Sequence, residues 1–146
     1  MKKILVVEDD LRIAAALAIR LQAAGYEVLT ASDGRKGLEL ASASRPDIIL
    51  MDITLPLIDI WMPLGVGYSV ARRIKSMGLG HIPIIFITAS RQSGLREAAQ
   101  ELGAAGFFEK PYDSEELLAA IARILDTESP LASNRRSDLS LLEHQL

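Results

Sequence analysis

The chain has 146 residues, 49% hydrophobic and 24% charged, which suits one soluble globular domain around one core. A net charge of −3 argues against a nucleic-acid surface on this chain, and the absence of cysteine removes disulfides, thiolate nucleophiles and Cys-ligated metals. No apolar run approaches the roughly 20 residues that span a bilayer, and MKK leads directly into ILVV, so neither membrane span nor signal peptide is expected and a cytoplasmic location fits best.

Short apolar runs alternate with amphipathic stretches. Residues 4–7 form a strand that ends on three acids, Glu8, Asp9 and Asp10. Ile13, Leu17 and Leu21 follow at helical spacing, and Gly25 stops that helix. Residues 27–31 read as a second strand, and Ser32 or Asp33 caps a helix that runs to about Ala43. A third strand covers residues 47–51, after Pro46, and residues 70–77 read as helix. Residues 82–87 give the strongest strand pattern. A helix over 91–102 closes at Gly103, and residues 105–108 are the fifth strand. Asp113 and Glu116 form a capping box for a last helix, whose apolar face is Leu117, Leu118, Ile121, Ile124 and Leu125. The tail 126–146 turns polar and reads as a linker or C-terminal tail, either ending as given or leading to a missing effector or kinase domain.

Five βα units with buried, non-alternating strands predict an α/β fold, a parallel five-stranded sheet covered on both faces, over residues 1–125. In such a sheet, functional groups gather beyond the carboxyl ends of the strands. There the sequence places Glu8 and Asp9, then Asp52, then Thr88 with small Ala89 behind it, then Lys110 before Pro111. Clustered carboxylates repel one another unless a cation neutralises them. With oxygen ligands only, Mg²⁺ is the natural choice. A carboxylate beside it can attack a phosphoryl group and hold it as an acyl phosphate, with Lys110 and the Thr88 hydroxyl serving the phosphoryl oxygens.

The segments ILVVEDD, PDIILMD, PIIFITA and FFEKP, in this order, resemble the receiver domain of two-component response regulators, over roughly residues 2–125. The resemblance implies the doubly wound, flavodoxin-like strand order 2-1-3-4-5. It implies Mg²⁺ held by Asp9 directly, by Glu8 through water, by Asp52 and by the backbone carbonyl of Thr54. Asp52 matches the phosphoacceptor, Thr88 the switch hydroxyl with Ala89 beside it, and Phe107 the aromatic that turns inward on activation. Lys110 matches the lysine that contacts the phosphoryl group, and the Lys110–Pro111 bond is expected to be cis. A sensor histidine kinase or phosphotransfer protein is the implied donor. A homodimer through the fourth helix, fifth strand and fifth helix is a further possible partner.

One stretch departs from the family pattern. Residues 52–58, DITLPLI, are followed at once by DIWMPLG at 59–65, a near-repeat of seven residues. Counting forward from Pro46 makes Asp52 the acceptor; counting back from the third helix makes it Asp59. The Asp-Gly usual in the family is replaced by Asp59-Ile60 or Val66-Gly67, according to register. Strand geometry favours Asp52. Residues 47–52 span roughly 20 Å of strand, level with the first strand, whereas reaching Asp59 would put Pro56 inside a central strand without an amide to give. The consequence is a long third connection, about residues 53–66, rich in Leu55, Leu57, Ile58, Trp61, Met62 and Leu64. Those residues either fold back on the domain or form a lid or docking surface. The alternative function is a pseudo-receiver, an interaction module whose site the insertion alters. A phosphatase with an aspartyl nucleophile fits less well, because Thr54 stands where its second acid belongs.

Overall fold

The computed structural model describes residues 1–53 and 66–128. Five strands, β1 (Lys3–Val7), β2 (Glu27–Ala31), β3 (Ile48–Asp52), β4 (Ile84–Thr88) and β5 (Gly106–Glu109), form one sheet in the order β2-β1-β3-β4-β5. Every pairing is parallel. Between them run α1 (Leu11–Ala23), α2 (Gly34–Ser44), α3 (Val66–Ile74) and α4 (Leu95–Glu101), and α5 (Ser114–Glu128) follows β5. This is the doubly wound, flavodoxin-like architecture anticipated from the motifs. The chain crosses from β1 out to β2, then returns over β1 to β3, so the strand order reverses beside β1 and β3.

The interior strands β3 and β4 are buried along their whole length, because helices cover both faces of the sheet. Alternate side chains feed two cores. Leu5, Val7, Ile49, Met51 and Phe86 pack against α2, α3 and α4 through Ala41, Tyr68, Ala71, Ile74, Leu95 and Ala99. Ile4, Val6, Ile48, Leu50, Ile85 and Ile87 pack against α1 and α5 through Leu21, Leu117, Ile121 and Leu125.

The helix boundaries correct the expectations in several places. Asp10, the third acid after β1, caps α1, its carboxylate accepting from the N–H groups of Arg12 and Ile13 at 2.9 and 3.2 Å. That leaves Glu8 and Asp9 free of capping duty. Asp33 caps α2 through the Lys36 N–H at 2.8 Å. Helix α3 starts at Val66, four residues ahead of the expected Val70, and ends in a π-helical turn, Lys75–Leu79, with Gly78 at φ 83°. Helix α4 starts at Leu95, not at Arg91, because Gly94 takes φ 88° and breaks any continuous helix there. Asp113 does cap α5, but through the N–H of Glu115 at 2.8 Å, one residue short of the expected capping box. Among the described residues no helix is long and apolar enough to cross a membrane. Thr54, Asp59 and the apolar residues from Leu55 to Leu64 lie outside the described residues, as do residues 129–146 of the tail.

Candidate functional site

The register brings four strand ends to one edge. Val7 pairs with Met51, Asp52 with Ile87, and Thr88 with Glu109. Glu8 follows β1, Asp52 and Thr88 close β3 and β4, and Lys110 follows β5. Side-chain alternation then sorts them. Glu8, Asp52 and Lys110 fall on one side of the sheet mid-plane, whereas Thr88 and Phe107 fall on the side of Phe86.

Glu8, Asp9 and Asp52 each offer a carboxylate oxygen, and these atoms all lie within 4.8 Å of one another. Glu8 and Asp52 are buried at 6% and 4% exposure, whereas Asp9 is exposed and faces the solvent mouth. The Lys110 ammonium donates to Glu8 Oε1 at 2.8 Å and lies 3.5 Å from Asp52 Oδ2. The N–H of Asp10 donates to the other Glu8 oxygen at 3.2 Å. Three acids thus meet one lysine, which leaves the cluster short of positive charge. Burial, and then Asp52 by hydrogen bond and charge, push the Glu8 carboxyl up to about 7 against the pull of Lys110. Burial alone would lower the Lys110 ammonium, but Glu8 and Asp52 outweigh it and hold the lysine above its ordinary value.

The donor set fits a hard divalent cation. It is all oxygen, and it combines one open and two buried carboxylates whose surplus negative charge a divalent cation would neutralise. Thr88 is buried at 1% exposure, and its hydroxyl accepts from the Ser90 N–H at 2.9 Å. Its carbonyl accepts from the Lys110 N–H at 2.7 Å, which ties the β4 end to the lysine. Ala89 is exposed beside it. The Lys110–Pro111 bond is cis.

The doubled stretch leaves a clear mark on its flanks. Gly67 donates its N–H to the Ile53 carbonyl at 3.0 Å, so the chain on either side of residues 54–65 meets within one hydrogen bond. A Cβ at Gly67 would stand 2.3 Å from the Asp52 carbonyl oxygen and 2.7 Å from Ile53 Cα. Only glycine fits where α3 abuts the end of β3. The third helix therefore packs directly on Asp52, the aspartate that shares the cluster with Glu8 and Asp9.

This edge coincides with a family match: residues 4–122 fit the model of the response regulator receiver domain. The chain belongs to that family. Among curated proteins, the receiver is 37% identical over 133 residues to the probable transcriptional regulator ycf27 of Cyanophora paradoxa, covering 90% of this chain and 52% of that protein. It is 36% identical over 124 residues to the alkaline phosphatase synthesis transcriptional regulatory protein PhoP of Bacillus subtilis, covering 85% of this chain and 48% of that protein. The chain spans about half the length of these curated relatives. Among solved structures, the chemotaxis protein CheY4 of Vibrio cholerae superposes with a TM-score of 0.74 at 30% identity, covering 85% of this chain and 98% of that one. Neither the geometry nor these likenesses support the alternative of an interaction module with an altered site.

Several residues that shape the receiver's edge escaped the motif reading. Asp10 was hidden among three adjacent acids that could each cap a helix. Gly67 was named only as half of Val66-Gly67, one of two stand-ins for the usual Asp-Gly, and its contact with the end of β3 was not foreseen. Tyr68 and Arg96 carry no local signature at all.

Proposed function

We propose that the receiver accepts a phosphoryl group on Asp52 from the phosphohistidine of a sensor histidine kinase or phosphotransfer protein, and thereby changes what it binds. The observation that carries this reading is the buried Asp52 carboxylate, gathered with Glu8 and Asp9 and placed 3.5 Å from the Lys110 ammonium. Mg²⁺, when bound, neutralises the acids and the phosphoryl oxygens. Glu8, Asp9, Asp52 and the Thr54 carbonyl are the residues proposed to hold it. An Asp52 oxygen attacks phosphorus while the N–P bond breaks, and the imidazole leaves with its electron pair. Lys110 gives up its contact with Asp52 to a phosphoryl oxygen. The Thr88 hydroxyl, whose oxygen accepts from the Ser90 N–H, donates its own proton to another phosphoryl oxygen, and small Ala89 leaves room beside it. Phe107, on the face that Thr88 occupies, follows that movement. Self-dephosphorylation is the reverse loss: water attacks phosphorus, the bond to Asp52 breaks, and inorganic phosphate leaves.

Partner exchange is proposed at the face of α4, β5 and α5, including a homodimer through it. Residues 1–125 form the receiver and 126–146 a linker or tail. The setting is cytoplasmic, with the donor kinase. The relatives are named as transcriptional regulators, which for this chain is a proposed output of the whole protein rather than of the receiver's own acidic surface.

The test is labelling with acetyl phosphate in wild type, Asp52→Asn and Asp59→Asn. Asp52→Asn should abolish an acid-stable, hydroxylamine-labile label, and Asp59→Asn should retain it. Loss of labelling in Asp59→Asn alone would overturn the assignment.

A further inference from the structure

The first turn of α4 carries two attachments that the transfer chemistry does not use. Tyr68 is buried at 3% exposure, with its ring edge-on to Phe86 at 4.7 Å between centroids. Its hydroxyl donates a hydrogen bond to the Leu95 carbonyl, the first residue of α4. Burial pushes the phenol up to about 12, so it remains a donor throughout the physiological range. Helix α4 has little else to fix its start. It is seven residues long, begins after Gly94 at φ 88°, and has no side-chain cap. A buried hydroxyl in an apolar core is costly unless bonded, so this hydrogen bond fixes the distance between α3 and α4.

The other end of the tether is at the phosphoacceptor. Tyr68 follows Gly67, whose N–H is bonded to Ile53 and whose Cα lies against the Asp52 carbonyl with no room for a Cβ. Beyond Leu95, the Arg96 guanidinium sits 4.6 Å over the Phe107 ring and 3.8 Å from the Glu109 carboxylate. Contacts therefore run without a gap from the Asp52 backbone through Gly67, Tyr68 and Leu95 to Arg96 and Phe107. This route crosses the α3–α4 face and does not pass through Thr88.

We propose that Tyr68 is a positioning residue of the switch, tying the first turn of α4 to the end of the phosphoacceptor strand so that movement at Asp52 reaches α4 and, through Arg96, Phe107. The switching role rests on the reading of Asp52 as phosphoacceptor; the tether itself does not. Packed contacts with two arrangements transmit such displacements, whereas a frayed helix start would absorb them.

Tyr68→Phe keeps the ring against Phe86 and removes one oxygen. Without any phosphoryl analogue, amide hydrogen exchange at Ala98 and Ala99 should quicken about tenfold relative to wild type, with β3 and β4 amides unchanged. In wild type, the Tyr68 hydroxyl proton should give a slowly exchanging resonance with a contact to Leu95, a check that needs no variant. With beryllofluoride and Mg²⁺, the amides of Glu8, Asp9 and Lys110 in Tyr68→Phe should shift as in wild type, while those of Arg96, Ala98 and Ala99 lose at least half of their shift. Unchanged exchange in α4, a rapidly exchanging hydroxyl, or a full wild-type response of α4 in the variant would each overturn the tether. If wild type itself ignores beryllofluoride, the phosphoacceptor reading fails, and the exchange and hydroxyl measurements still decide the tether.

Discussion

Glu8 bears the electrostatic tension of the site, because burial and the neighbouring Asp52 both oppose its ionisation. Its folded value of about 7 lies above the ordinary 4.5, so the folded metal-free protein binds the extra proton more readily than the unfolded chain does. The stabilisation from that proton is complete below the unfolded value and is lost as pH rises through about 7. A divalent cation competes with the same proton. Mg²⁺ affinity should therefore fall about tenfold between pH 8 and pH 6, followed by amide shifts of Asp9 and Lys110. An affinity flat over that range would contradict the raised Glu8. A second residue-scale prediction concerns two glycines. A methyl at Gly67 meets backbone, the Asp52 carbonyl oxygen at 2.3 Å, and nothing there can yield cheaply. A methyl at Gly37 meets only the Val7 side-chain methyls, at 3.1 and 3.2 Å, within a helix that gains from alanine. Gly67→Ala should cost about 3 kcal/mol in urea unfolding and Gly37→Ala less than about 1. Equal midpoints would show that α3 does not rest on β3 as described.

Helix α1 begins immediately after the acid cluster and leaves an apolar stripe in water, with Leu11 at 71% exposure, Ile19 at 67%, and Ala15 between them. These positions are four residues apart and line one side of the helix. On the proposed transfer to Asp52, a protein donor approaches beside the start of α1 and this stripe, whereas acetyl phosphate need not touch it. Leu11→Glu should slow transfer from a kinase at least tenfold and leave acetyl phosphate labelling within about twofold, the two measured side by side. Equal effects on both donors would remove α1 from the encounter. The elements themselves were legible in proportion to how much their burial dominated. β3 and β4 are buried throughout and read as unbroken apolar runs, and Leu117, Ile121 and Leu125 marked α5 by period alone. The start of α3 was hidden because Gly67 is a poor helix former, required there by the close approach to the Asp52 carbonyl. Helix α4 looked longer than it is because nothing in RQSG told a turn from a first helical turn until Gly94 took a positive φ. The acid cluster and Lys110 were readable from strand ends, since a parallel sheet forces those ends together. The tether from Tyr68 to Leu95 was not, because it joins residues 27 apart through a backbone acceptor.

At the scale of the whole molecule, the site is a place where stability and ligand binding oppose each other. Two buried carboxylates beside a third at the sheet edge weaken the metal-free fold, and one lysine only partly offsets them. Any cation that binds the folded cluster and not the unfolded chain must stabilise by mass action. At ten times its dissociation constant, Mg²⁺ should add about 1.4 kcal/mol, which for a domain of this size raises the melting temperature by roughly 3–5 °C. At one fixed Mg²⁺ concentration the gain should be larger at pH 8 than at pH 6, because at the lower pH the Glu8 proton competes with the cation and weakens its binding. Asp9→Asn should remove most of the shift while leaving the metal-free melting temperature little changed, since Asp9 is exposed. Asp52→Asn should raise the metal-free melting temperature by relieving the repulsion on Glu8, and at the same time abolish the Mg²⁺ response. Those opposite signs in one variant separate a built cation site from general ionic screening, which NaCl of equal ionic strength reproduces. If Asp52→Asn melts lower than wild type without metal, or responds to Mg²⁺ as wild type does, the three carboxylates do not act as one site.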